Sequence, residues 1–296
     1  MAEEGDLDLR LWIMIGASNE ELAVKLPHYK MINVGDQRLT VRAIKRGIDG
    51  ALGSHGAWLL EPYADMPETS GLNTTSPEVI SETAELAIRH GFQLCVHAIG
   101  DRGNRETLDI FESAFEANPD KTDLRWRVEH SQHLHPDDIP RFGELGVVAS
   151  MQGIHCTSDG PWVVPRLGEK RARQGAYPWR TLLETGAVVT NGTDAPVEDV
   201  DPIASFYATV TRRMKANGEL FYPEQRMTRD EALHSYTLAP AWAAFEEDIK
   251  GSLEVGKLAD VTVLSKDIMT VPEEEILQAE VLYTIVGGEV KYEARR

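Results

Sequence analysis

Cysteine is scarce. Cys95 and Cys156 are the only two in 296 residues. Cys95 lies in an apolar run and reads as a buried thiol, so no disulfide framework is expected and stability must come from a core. Long apolar runs are missing too, and nothing approaches the roughly 20 residues of a bilayer-spanning helix. Basic residues are few: 30 Lys and Arg stand against 48 Asp and Glu, a net charge of −18. That balance argues against nucleic acid or an anionic membrane as partner. The acidic opening of the chain lacks the charged and apolar regions of a signal peptide, so the expected location is cytoplasmic. Apolar residues make up 42% of the chain. That supports a sizeable core, and the length suits one large domain plus a small one.

Strand and helix patterns alternate along most of the chain. Residues 9–15 read as a buried strand, 19–26 as a short helix, and 38–44 as a second strand ending at Lys45. Asp49-Gly50, Gly53, Gly56, Pro62 and Pro67 make 47–66 a long loop. Ser76 and Pro77 open a helix with Ile80, Ala84, Ala87 and Ile88 on one face, closed by Gly91. Strand 93–97, helix 104–116, strand 125–129, helix 136–145 and strand 147–151 follow. A long loop is expected around Trp162 and Pro165, then helix 179–184, strand 187–191, and helices near 203–214 and 229–239.

This alternation gives parallel βαβ units. The predicted fold is α/β: a partial TIM-type (β/α) barrel with about six of the eight strands of a closed one. It covers residues 1–248. Residues 249–296 change to short strands with a Gly287-Gly288 turn and read as a small C-terminal β-sandwich segment.

Three of the strands end in groups that bind metals. Val96-His97-Ala98-Ile99-Gly100-Asp101 and Val128-Glu129-His130-Ser131-Gln132 each end an apolar run with a histidine, and Asn191-Gly192-Thr193-Asp194 ends one with an aspartate. In a parallel barrel such strand ends converge on one face. His, His and Asp are ligands of hydrolytic metals. Asp101, Gln132, Gln152 and His155 lie just past strand ends, where they could orient ligands or touch substrate. Trp162 could line an apolar pocket. His133-Leu134-His135 has the spacing of a ligand pair but reads as a solvated loop.

The segments Ile44-Lys45…Asp49-Gly50-Ala51-Leu52-Gly53-Ser54, His97-Ala98-Ile99-Gly100-Asp101, Glu129-His130-Ser131-Gln132 and Gly192-Thr193-Asp194-Ala195-Pro196-Val197 occur here in order. With the tail Lys250-Gly251-Ser252-Leu253-Glu254-Val255-Gly256-Lys257-Leu258-Ala259-Asp260, they resemble the amidohydrolase superfamily. The nearest branch holds N-substituted formamide deformylase and YtcJ-like proteins. The resemblance implies a metal-dependent barrel hydrolase that cleaves non-peptide, amide-type C–N bonds of small molecules through metal-activated water. It implies metal ligands at Lys45 (as a carboxylated lysine), His97, His130 and Asp194, with Asp194 also the general base. The expected cofactor is a divalent metal, zinc first, with one or two ions in intact relatives and one or none here. The family's first strands and their His-x-His pair find no counterpart, so the chain is expected to lack the N-terminal part. The alternative is a catalytically impaired fragment with a binding or regulatory role. Two strands short of closure, the barrel would leave open edges through which the chain is expected to self-associate.

Overall fold

The computed structural model describes residues 2–5 and 7–295. The elements in chain order are β1 (Leu11–Ile15), α1 (Asn19–Tyr29), β2 (Met31–Asn33), α2 (Val34–Gln37), β3 (Leu39–Gly47), α3 (Pro77–His90), β4 (Gln93–Ala98), α4 (Asp101–Ala117), β5 (Arg127–His130), α5 (Ile139–Leu145) and β6 (Val148–Met151). Then come α6 (Gly153–Leu167), α7 (Glu169–Gly175), α8 (Trp179–Glu184), β7 (Val189–Asn191), α9 (Pro202–Thr211), α10 (Arg229–Tyr236), α11 (Leu238–Ala243), β8 (Val261–Leu264), α12 (Glu273–Ile276), β9 (Val281–Val286) and β10 (Glu289–Glu293).

Six strands form one parallel sheet in the order β1-β3-β4-β5-β6-β7, with the short β2 antiparallel on β3. This is the curled part-barrel that the alternation predicts. Register sets its chemistry. Lys45 pairs with Cys95 and Cys95 with Arg127; one pleat further on, Gly47 pairs with His97, His97 with Glu129, and Glu129 with Ser150. Side chains alternate faces along a strand. Lys45, Cys95, His97, Arg127 and Glu129 therefore share one face. The intervening Ile44, Leu94, Val96, Val128 and Ala149 are all fully buried in the core. Behind the sheet, Trp126 packs edge-on to Phe111 at 5.0 Å between ring centres.

Local signals explain the helix ends. The Ser76 hydroxyl accepts from the Val79 N–H, Pro77 occupies the first turn of α3, and Gly91 closes it in the left-handed region at φ 67°. Three expectations fail here. The long loop around Trp162 and Pro165 is helical, forming α6 and α7. Pro161 removes the donor that would meet the Thr157 carbonyl, but the Lys215 N–H supplies one at 3.2 Å. The buried stripe of Ile154, Cys156, Val163 and Leu167 then keeps the helix on the core. The single helix expected over 229–239 is instead two, because Thr237 leaves helical geometry at φ −128°, ψ −79°. The strand at 9–15 is half-buried rather than buried, with Leu9 67% and Ile13 40% exposed at the sheet edge.

The C-terminal segment, expected as a small β-sandwich segment, is one antiparallel three-stranded sheet, ordered β10-β9-β8. A two-pronged ion pair joins it to the N-terminal segment: Arg10 Nε and Nη2 reach Asp260 Oδ2 and Oδ1 at 2.6 and 2.9 Å. The Gly287 N–H adds 2.8 Å to the same carboxylate.

Among the described residues, β1 pairs only with β3, and β7 only with β6. Two strand edges are thus unpaired in the sheet, and such edges recruit other strands. The isolated chain is expected to gain scattering mass with concentration. A single-chain mass held up to the highest soluble concentration would contradict this.

Candidate functional site

The strand ends bring the histidines together, but not by pleating alone. Strict alternation would put His130 on the same face as Val128, against the core. His130 instead has φ 79° and Ser131 φ 45°. This left-handed backbone, costly for residues with a Cβ, ends the pleat and aims the ring at His97, 4.5 Å away between centres. Asp194 is likewise left-handed at φ 58°. Its Oδ2 lies 3.1 Å from His155 Nε2. Ligand atoms of His130, His155 and Asp194 all lie within 4.8 Å of one another.

Partners set the rings. Gln152 gives its amide N–H to the Ser150 carbonyl at 3.4 Å, so its Oε1 faces His130 Nδ1 at 2.8 Å. His130 must donate there, which leaves its Nε2 lone pair free. His97 Nε2 is buried without a hydrogen-bond partner, 3.6 Å from Asp49 Oδ1. Lys45 forms no hydrogen bond or ion pair among the described residues. It lines a cleft of ≈ 450 Å³ with His97 and Asp49. A larger cleft of ≈ 760 Å³ lies apart from the cluster, lined by Leu60, Asp101, His135 and Lys170 among others.

The electrostatics divide the histidines. Burial, then the charges of His130 and Lys45, push His97 down to about 3. Burial also lowers His130, against the pull of Asp194. Burial opposes the charged form of His155 as well, but the hydrogen bond to Asp194 and the carboxylates of Asp159, Asp194 and Glu198 outweigh it and raise its pKa. That hydrogen bond holds Asp194 below the usual carboxylate range. The site therefore offers neutral imidazoles at His97 and His130 and an ionised Asp194, while the carboxylates favour the protonated form of His155, whose Nε2 proton a bound cation would have to displace. An orphaned buried ring nitrogen beside a His/His/Asp cluster fits a divalent cation.

The other expected residues take varied places. His155, expected to orient ligands or touch substrate, sits with His130 and Asp194, and Gln152 accepts from His130 Nδ1. Asp101 serves the fold, accepting from the Leu60 and Arg102 N–H groups. Gln132 is tied to Tyr177 and Asp159. Trp162 stands 53% exposed on α6. His133 is no solvated loop residue: it is 2% exposed, edge-on to Tyr177, with both ring nitrogens unpartnered. The bridge between His133 and Ala176 folds it inward.

The description "Amidohydrolase family" matches residues 1–292 of this chain. The chain belongs to the amidohydrolase family. Its curated relatives include LONG AFTER FAR-RED 3 of Arabidopsis thaliana, 39% identical over 86% of this chain and 43% of that protein. YtcJ of Bacillus subtilis is 33% identical over 85% and 47%. The N-substituted formamide deformylase of Arthrobacter pascens is 29% identical over 75% and 41%. These last two place this amidohydrolase in the branch that its motifs resemble. A solved structure of an uncharacterized metal-dependent hydrolase from Pyrococcus horikoshii OT3 superposes with a TM-score of 0.80 at 31% identity, over 92% of this chain and 54% of that one. The chain thus spans less than half the length of these curated relatives.

Three residues around the cluster escaped the sequence reading as candidates. Asp49 appeared there as half of an Asp-Gly turn and within a motif of the resemblance, with no role of its own. Glu129, buried and 3.1 Å from Arg127 Nε, was legible from alternation with Arg127 and register with His97. Glu198, 3.6 Å from His155 Nδ1, carried no local signal.

His133 provides a pH prediction. Burial lowers it from 6.5 to about 3. The native ring stays neutral while the unfolded one protonates below 6.5, so stability is level above that value and falls as pH drops toward 3. The loss is about 1.4 kcal/mol at about pH 5.5. Urea midpoints should show His133→Phe losing less stability than the parent between about pH 7.5 and 5.5. Equal losses would refute the assignment.

Proposed function

We propose that this chain carries the larger part of the active site of a metal-dependent hydrolase that cleaves an amide-type C–N bond in a small molecule. The observation that carries the reading is the His130, His155 and Asp194 cluster at the strand ends of an amidohydrolase sheet. These three residues would hold a divalent cation, with zinc suited to two imidazoles and a carboxylate. When bound, the ion supplies Lewis acidity and eases deprotonation of water. Asp194 accepts the proton of the attacking water and returns it to the leaving nitrogen. His97, neutral and with Nε2 free, faces the cleft beside Lys45 and can bind a second ion or the substrate. Lys45 has no ion-pair partner among the described residues and is the residue to test for carboxylation. The name of the Arthrobacter relative supports an N-substituted formamide as the first substrate to try. A cytoplasmic location belongs to the same proposal.

A second reading is an impaired fragment that binds or regulates. The two strand edges left unpaired among the described residues favour it, since such edges recruit other chains. The two are separated by loading the folded chain with zinc, measuring bound metal after dialysis, and assaying N-substituted formamides. About one ion per chain is expected. His130→Ala, His155→Ala or Asp194→Ala should each weaken binding by more than the roughly 10–100-fold that loss of an outer partner costs. Activity should vanish with chelator and return with zinc. A folded chain that retains no metal would refute the proposal. Retained metal without hydrolysis would favour the binding role.

A further inference from the structure

His155 stands between two carboxylates. Its Nε2 faces Asp194 Oδ2 at 3.1 Å and its Nδ1 faces Glu198 Oε1 at 3.6 Å. A neutral ring can place its single proton toward either. Only one choice makes it a ligand beside Asp194: the proton must lie on Nδ1, so that the Nε2 lone pair is free.

His130 already shows this arrangement, with Gln152 accepting at Nδ1. For His155 the carboxylate across from Nδ1 is Glu198, 3.6 Å away and a short approach from hydrogen-bond distance, and its surroundings hold it in place. The Glu198 side chain is only 15% exposed, and its Oε2 is 3.3 Å from Lys215 Nζ. Burial opposes the charged form of Glu198, but Ser158 and the Lys215 charge outweigh it and hold its pKa below the usual carboxylate range; the Ser158 hydroxyl donates to the His155 carbonyl at 3.4 Å. Lys215 is itself anchored, because its backbone N–H closes the gap that Pro161 leaves at the Thr157 carbonyl. The segment after α9 that satisfies α6 at Pro161 and the loop after Asp194 thus meet beside one imidazole.

We infer that Glu198 is the positioning residue that holds the proton of His155 on Nδ1 and so turns its Nε2 toward the cation shared with His130 and Asp194. The inference rests on the proposed metal centre. It adds an outer carboxylate to that centre, from a loop that carried no sequence signal.

The test uses cobalt(II) as probe on the whole chain, with affinity and the visible absorption spectrum as readouts. Metal-free thermal unfolding serves as the control for folding. Glu198→Ala should weaken cobalt binding about 10–100-fold and alter the spectrum, with metal-free unfolding unchanged. Glu198→Gln, which keeps an acceptor oxygen, should restore most of the affinity. In the zinc-loaded parent, the nitrogen NMR shifts of His155 should report a protonated Nδ1. Parent-like cobalt affinity in Glu198→Ala would overturn the inference. So would equal losses in Ala and Gln variants that both unfold early, or a His155 protonated on Nε2. If the parent itself binds no cobalt, the metal centre fails first and the inference falls with it, an outcome distinct from parent binding that Glu198→Ala leaves unchanged.

Discussion

One buried carboxylate holds the site together. Asp49 is 4% exposed and accepts three backbone N–H groups, from Trp58, Ile99 and Gly100, at 2.8–2.9 Å. It therefore ties the loop after β3 to the turn that joins β4 to α4. A Cβ on Gly100 would lie 2.1 Å from the Trp58 carbonyl oxygen, so the loop and the helix entrance meet backbone to backbone. Burial pushes Asp49 up to about 7, against three amides that favour its charged form. His97, on the strand between these anchors, inherits its position from them.

Around that anchor the part-barrel interior is polar where a core would be apolar. Arg127 pairs with Glu129 and stacks on Trp12 at 4.3 Å. The same guanidinium donates to Cys95 Sγ at 3.3 Å. Lys45 stands in register with that pair of strands. Buried charges are expensive unless paired, and here they lie directly below the histidines. The arrangement makes sense as a floor that fixes electrostatics and ring orientation at the strand ends.

Much of this was legible from local chemistry. The Ser76-Pro77 start and Gly91 stop of α3, the run of strand patterns, and the histidines at two strand ends follow from capping, φ limits and alternation. The misreadings share a cause. Pro161 looks like a loop residue until a distant backbone N–H, that of Lys215, replaces the missing donor. The place of His155 beside Asp194 depends on α6 being a helix. His133 looked solvated because the bridge to Ala176 joins segments far apart in sequence.

The sequence by itself determined the layers: period-two apolar runs make strands, and their even spacing makes parallel units whose ends share a face. Those features depend on a residue and its near neighbours, so they survive without coordinates. Which groups converge was decided only in three dimensions. The left-handed turns at His130 and Asp194 redirect their side chains, and the partners at the histidines arrive from other segments: Gln152 at the end of β6, Glu198 after β7, Asp49 after β3. A lone pair's direction is set by what stands across from it, and sequence distance says nothing of that.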